Sequence, residues 1–428
     1  MKRIAAIFLV IFMSFSSYFQ ITAYAADNVI PLTAESAILI DAATGDVLYE
    51  KNSNKQMYPA STTKIMTAIL TLENSNLNDK VIIDKDTPFT DGSSIYVREG
   101  EEFTVEQLLY ALMVESANDA AVALAKHVSG NVSAFVDKMN KRAAELGATN
   151  THFNNPNGLP DTKHLTTAHD LAVIARYGMT IPKFTELVRT ARYQIPPTNK
   201  VNETRYLRNT DRFLWGTGSQ NKINYKGKYI DIKYDIVDGV KTGYTTVAGN
   251  CIVSTASKNG RRLIAVVLKT HGSDLYLDAR ILLDYGFDNF ENVELVKSGE
   301  EIQKANIENG VSNEVGLVAQ DDLSRTLPLS AKDVKITKNF VVNENIYAPI
   351  QKGAVLGKAT YTLNGTVLGE VNLVAKEQVD EKAIVKVEKK LLSPKALVFY
   401  KITAAIFVLV VFLGIYIVLG KRKNRYRW

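Results

Sequence analysis

Three short motifs, in a fixed order, constrain this chain more than anything else in it. Ser61-Thr62-Thr63-Lys64 comes first, Ser116-Ala117-Asn118 second and Lys241-Thr242-Gly243 third. Each alone is weak: a Ser-x-x-Lys arises by chance, a Ser-Ala-Asn is often a loop or cap, and a Lys-Thr-Gly is often a turn. Together they demand a fold that gathers three distant segments around one cleft.

The chemistry of the motifs fits that demand. A serine hydroxyl is a poor nucleophile at neutral pH and needs a base within hydrogen-bond reach. Pro59-Ala60-Ser61 reads as a loop entering a helix, because Ile65, Ala68, Ile69 and Leu72 recur at helical spacing. Ser61 and Lys64, three apart, then share a face. At the helix start Ser61 meets free backbone N–H groups and a favourable dipole. Lys64 can serve as a base only if burial or a second cation lowers its pKa, and Lys241 is the candidate cation. Ser116 suits a proton relay to a leaving amine, and Asn118 an amide that holds a peptide group. Lys241 and Thr242 suit a terminal carboxylate, and Gly243 lets a strand backbone come close.

The ends of the chain suggest where it works. Lys2 and Arg3, the apolar run Ile4 to Met13 and Ala23-Tyr24-Ala25 read as a secretory signal over residues 1–25. From Ile402 to Gly420 there are 19 residues without a charge. With the apolar stretch from Ala396 they predict a membrane span over 396–420. Lys421, Arg422, Lys423, Arg425 and Arg427 follow, so residues 421–428 are expected as a cytoplasmic basic tail and the body as extracytoplasmic. The whole chain carries +6. Its cations in the leader and tail account for that excess and leave the body near neutral, which gives no electrostatic case for nucleic-acid binding.

With 428 residues the chain has room for two or three domains. Ser36 to Ile40, a turn at Ala43-Thr44-Gly45 and Val47 to Tyr49 predict a strand pair. Helices are expected at Thr104–Met113, Ala120–Val128, Val132–Leu146, Thr167–Tyr177 and Asp274–Phe287, and strands within Val240–Val253 and Arg262–Leu268. Asn154-Asn155-Pro156-Asn157-Gly158 is a turn cluster. The expected fold class is α+β, a sheet with a cluster of helices, over residues 30–290. Residues 292–388 turn rich in Val, Ile, Lys and Glu, with short strands near Ile336–Val342, Ala359–Leu363 and Val371–Val374. Asn364-Gly365 is a hairpin signal there, so a small β-rich domain is expected, a stalk or interaction module.

Other chemistries find little support. The single cysteine, Cys251, lies in an apolar run and reads as a buried small hydrophobe. The five histidines show no metal-ligand spacing. His152, His164 and His169 read as loop residues, and neither a metal nor a cofactor is expected.

On the three motifs, and with Asn155-Pro156-Asn157-Gly158-Leu159 in support, the chain resembles the serine-type D-alanyl-D-alanine carboxypeptidases, the low-molecular-mass penicillin-binding proteins. The resemblance spans catalytic domain, β-rich domain and anchor. It implies a β-lactamase/transpeptidase-like catalytic domain and removal of the last D-alanine from peptidoglycan pentapeptide stems, with β-lactams as covalent inhibitors. It also implies Ser61 as acyl-enzyme nucleophile, Lys64 as general base and Ser116 as second active-site serine. Asn118, Lys241, Thr242 and Gly243 would meet substrate, and the N–H groups of Ser61 and Tyr244 would form an oxyanion hole. Tyr244 stands where some relatives carry histidine. Rival readings are a β-lactamase or a DD-endopeptidase on the same scaffold, and a non-catalytic wall-binding scaffold. The lactamase needs a Glu-x-x-Asn between the second and third motifs; Glu145, Glu186 and Glu203 lack the asparagine. The intact motifs argue against the silent scaffold.

Overall fold

The computed structural model describes residues 30–332 and 334–423. The expected signal, residues 1–25, and the last five residues of the tail lie outside the described residues.

The chain divides into two compact units. The first runs to Val293 and also takes Arg325–Asp333; the second takes Glu294–Ser324 and Val334 onward. The stretch 292–388, expected as one continuous domain, thus lends a segment to the first unit. Its tether is polar: Thr326 N donates to Asp46 Oδ2 at 2.7 Å, and the Thr44 and Thr326 hydroxyls lie 3.0 Å apart.

The first unit is α+β. Strand β1 (Ser36–Asp41) turns into β2 (Val47–Lys51). Asp41 Oδ1 accepts from Ala43 N and Thr44 N, which closes the turn. A 3-10 turn, Ala60–Thr63, feeds helix α1 (Lys64–Asn74). Helix α2 (Val105–Tyr110) starts at a capping box between Thr104 and Gln107. It ends sooner than the predicted Met113, because a π turn over Ala111–Glu115 replaces its last residues. Helices α3 (Asn118–Ser129), α4 (Val132–Glu145), α5 (Ala168–Gly178) and α6 (Pro182–Arg189) follow. Asn131 and Thr167 cap α4 and α5, each accepting a backbone N–H with its side chain. Strands β3 (Val237–Thr245), β4 (Gly249–Lys258) and β5 (Arg261–Thr270) lead to helix α7 (Asp274–Asn289).

These five strands form one antiparallel sheet in the order β2-β1-β5-β4-β3. Alternate residues feed two cores. Ile38, Ile40, Cys251, Val253, Ile264, Val266 and Leu268 face the helices α1 to α6. Ala37, Leu39, Ile252, Leu263, Ala265 and Val267 join the core beneath α7. Both faces are covered, so Leu263–Leu268 reads as an unbroken apolar run rather than an alternating one. Cys251 is fully buried within the helical core, and burial pushes its thiol up to about 11.

The second unit holds a five-stranded antiparallel sheet. Its strands are β6 (Glu301–Asn306), β7 (Glu314–Ala319), β8 (Thr337–Val342), β9 (Val355–Leu363) and β10 (Thr366–Ala375), in the order β6-β7-β10-β9-β8. Asn364 and Gly365 join β9 to β10 with φ of 50° and 83°, the two positive values a two-residue hairpin of this twist requires. Helix α8 (Ala383–Leu391) precedes helix α9 (Pro394–Lys423). Within α9, Pro394–Leu419 is long and apolar enough to cross a membrane, with a mean hydropathy of 2.9 and none of its surface buried.

Candidate active site

Ser61 lies in the 3-10 turn, one residue after Ala60, whose φ is +48°. A left-handed alanine costs of order 1–3 kcal/mol, and it turns the chain sharply into α1. Lys64 begins that helix and is wholly buried. Its Nζ lies 2.9 Å from Ser61 Oγ, and donates to Asn118 Oδ1 and to the Asn157 carbonyl, both at 2.6 Å.

The second motif arrives by way of the π turn. Such turns mark functional sites often, and this one places Ser116 in the left-handed region at φ 64°, nearly buried. Asn118 then opens α3. Its Nδ2 donates to Asp91 O at 2.7 Å, which fixes the amide so that Oδ1 faces Lys64. Asn118 N donates to Ser93 O at 2.6 Å. Next to it Asp119, fully buried, accepts from Ser94 Oγ, Ile95 N and Val97 N, and so pins the loop above the motif.

The third motif lies on β3, at one edge of the sheet. Lys241 is buried; its Nζ donates to Thr242 O at 2.9 Å and to Thr210 Oγ1 at 3.4 Å. Thr242 Oγ1 donates to the same Thr210 hydroxyl at 2.7 Å. Gly243 is where the strand passes the serine. A Cβ there would meet Ser61 N at 2.8 Å, and Ala60 Cβ and Thr62 N at 3.1 Å. Tyr244, 64% exposed, stands at the rim.

Electrostatics follow from this burial. Lys64 is held well below its ordinary value, first by burial and then by the Lys241 cation, with Asp119 opposing. Burial also lowers Lys241, to about 7, against the pull of Asp211 and Glu115. A neutral amine at Lys64 has two N–H bonds and one lone pair. Two of its three partners, Asn118 Oδ1 and Asn157 O, only accept. The lone pair is left for the proton of Ser61 Oγ.

The structure therefore brings together Ser61, Lys64 and Asn118 by direct hydrogen bonds, with Gly243 packed on the Ser61 backbone. The side chains of Lys241 and Thr242 share the Thr210 hydroxyl. Sequence reasoning missed Thr210 and Asp211, and left the Asn157 carbonyl within a turn cluster with no task. It also left His164 a loop residue. His164 does sit outside helix and strand, but it is buried, joined to Thr63 Oγ1 through Nε2 at 2.8 Å and accepting Asn154 N at 3.0 Å. His169 belongs to α5 rather than a loop. Among the described residues no cluster of His, Cys, Asp and Glu could hold a metal ion.

Known proteins resemble this chain in sequence and fold. Residues 22–272 match the family profile described as D-alanyl-D-alanine carboxypeptidase, and residues 290–381 match penicillin-binding protein 5, C-terminal domain. The D-alanyl-D-alanine carboxypeptidase DacF of Bacillus subtilis is 35% identical over 365 residues, 83% of this chain and 88% of that protein. Penicillin-binding protein 5 of Haemophilus influenzae superposes with a TM-score of 0.70 at 30% identity, covering 82% of this chain and 99% of that one. A Streptomyces K15 DD-transpeptidase superposes with a TM-score of 0.54 at 31% identity, over 60% of this chain and 99% of that one.

Proposed function

Because the chain belongs to the D-alanyl-D-alanine carboxypeptidase family and is a serine hydrolase of that activity, we propose that Ser61, Lys64 and Ser116 carry its chemistry at the cleft just described. The observation that carries this reading is the Lys64 amine, buried, lowered and 2.9 Å from Ser61 Oγ.

The substrate is the D-Ala-D-Ala end of a peptidoglycan pentapeptide stem. Lys241 and Thr242 take its terminal carboxylate, and Asn118 holds the peptide amide. Ser61 Oγ attacks the penultimate D-alanine carbonyl while its proton passes to the Lys64 lone pair. The oxyanion that forms accepts from the backbone N–H groups of Ser61 and Tyr244, a contribution of about 3–4 kcal/mol per donor in such enzymes. The C–N bond then breaks, and the proton returns from Lys64 through Ser116 to the departing D-alanine amine. Water, activated by Lys64, hydrolyses the ester and releases the shortened stem.

A β-lactam presents a strained cyclic amide in place of that bond, and its amine stays tethered after ring opening, so the ester on Ser61 persists. Intact-mass measurement after penicillin treatment is expected to show one adduct, on the peptide holding Ser61. The Ser61→Ala variant should show neither adduct nor D-alanine release. Lys64→Ala should keep substrate binding and lose roughly 10²–10⁴-fold in rate. An adduct elsewhere, or turnover by Lys64→Ala close to the parent rate, would remove these assignments.

The enzyme works, on this reading, at the outer face of the cytoplasmic membrane. The apolar helix Pro394–Leu419 spans the bilayer, and the cations that follow it stay inside.

A further inference from the structure

Lys241 has few polar neighbours for a buried ammonium. Among the described residues its hydrogen-bond partners are the carbonyl of Thr242 and, at 3.4 Å, the hydroxyl of Thr210. The residue after Thr210 is Asp211, a carboxylate with no exposed surface. Its Oδ1 accepts the Phe213 N–H at 2.9 Å, while Oδ2 meets no hydrogen-bond donor among the described residues. Leaving such an oxygen bare costs of order 1–3 kcal/mol, and more when it is charged, so something else must compensate it.

The segment around Asp211 is built rather than loose. Asn209 Oδ1 accepts Asp211 N at 2.8 Å, and Asn209 Nδ2 donates to Thr190 O at 2.9 Å. Trp215 Nε1 donates to Asn209 O at 2.7 Å. Tyr276, buried beneath, donates its hydroxyl to Thr210 O at 3.2 Å and accepts Arg212 N at 3.1 Å. These bonds hold a bare carboxylate next to the threonine that Lys241 and Thr242 share. The charged groups that act on Lys241 are Asp211 first, then Glu115 on the π turn; Lys241 in turn acts on Lys64. The charge that acts on Asp211 is Lys241.

We infer that Asp211 is a positioning residue, which holds the proton on Lys241 and thereby sets the alkaline limit of substrate-carboxylate capture. The inference rests on the reading of Lys241 as the carboxylate-binding cation. The sign follows from the burial of both groups. Burial brings Lys241 down to about 7 and Asp211 up to about 6. Above that lower value Asp211 is an anion, and its field opposes loss of the Lys241 proton. Without that charge Lys241 loses its proton at a lower pH. Two effects then act together: the substrate carboxylate loses its cation, and Lys64 loses the neighbour that keeps it unprotonated.

The test is the pH profile of kcat/KM for D-alanine release from a D-Ala-D-Ala peptide, in the full chain and in Asp211→Asn. The amide keeps the acceptor for Phe213 N and removes the charge. Its alkaline limb is expected to move toward lower pH, by about one pH unit or more. At the alkaline end activity should fall about tenfold for each pH unit the limb moves, with a much smaller loss near pH 6. A uniform loss at every pH, with the limb unmoved, would overturn the inference and leave Asp211 a folding residue. Should the variant not fold, a second measurement, on the parent and Lys241→Met, decides. Infrared titration of ¹³C-aspartate protein is expected to show one carboxyl ionising near pH 6, with its midpoint raised in Lys241→Met. A midpoint that ignores that substitution overturns the inference. Failure of the functional reading looks different: the parent chain itself would release no D-alanine and form no penicillin adduct.

Discussion

His164 shows how much a single buried side chain can carry. Its Nδ1 accepts the Asn154 N–H, so Nε2 bears the hydrogen and donates to Thr63 Oγ1 at 2.8 Å. That joins the turn bearing Ser61 to the loop bearing the Asn157 carbonyl. Burial lowers the imidazole from 6.5 to about 4, with Asp161 opposing. The folded value lies below the unfolded one, so between those two pH values the unfolded chain binds a proton the folded chain refuses. Stability is therefore complete above pH 6.5 and is lost as pH falls toward 4, by on the order of 3 kcal/mol. Urea unfolding of the parent and of His164→Asn at pH 7 and pH 4.5 checks this: the pH-dependent loss should shrink by about that amount in the variant. An equal loss in both would place the acid sensitivity elsewhere. At this scale the sequence was informative where chemistry fixes a residue type. A serine with a lysine three residues on, and a lysine on a strand, are visible because a nucleophile, its base and a carboxylate-binding cation draw on few side-chain types. The Asn157 contribution is a backbone carbonyl, which any residue could supply. Asp211 carries no motif, and its importance comes only from a burial that a sequence does not display.

At the scale of elements, β3 passes close against the turn Ala60–Thr63. Gly243 has only a hydrogen where a Cβ would sit 2.8 Å from Ser61 N. Backbone cannot yield as a flexible side chain can, so Gly243→Ala must push the strand away from the Ser61 amide. The variant is expected to fold, since β3 is an edge strand, and to lose about 10²–10³-fold in the rate of penicillin acylation, the worth of an oxyanion donor. Stopped-flow acylation and a thermal melt measure the two halves separately. An unchanged acylation rate would sink the assignment of the Ser61 and Tyr244 N–H groups. Most long elements were legible, because α3, α4, α5 and α7 repeat apolar residues at helical spacing, and Asn131 and Thr167 cap α4 and α5. The π turn was not: its apolar residues continue the helical pattern of α2, and only the left-handed Ser116 shows the departure. The helix α6 was also missed, although Pro182 at its first turn signals a start. The hairpins at 192–208 and 222–231 pair strands of four residues, too short and too polar for a periodic signal.

For the whole molecule, the end of the chain separates anchoring from chemistry. Pro394–Leu419 holds 26 residues, which at 1.5 Å each reach about 39 Å, more than the ~30 Å of a bilayer's hydrocarbon core. Every residue assigned to the cleft, from Ser61 to Tyr244, belongs to the first unit. The apolar helix therefore adds no group to the reaction, and a chain ending at Lys390 should keep it. After fractionation of producing cells, the full-length protein is expected in the membrane pellet and the shortened one in the soluble fraction. The shortened protein should release D-alanine from a small peptide at the parent's kcat/KM, and should take one penicillin adduct. If it pellets with membranes, a second anchor exists upstream of Lys390, and the exposed Ile384 and Val387 of α8 are the first residues to replace. If it is soluble yet slow on a small peptide, the apolar helix does more than tether. Neither is expected, because the length and hydropathy of the helix suit it to anchoring, and every residue proposed for turnover lies in the first unit.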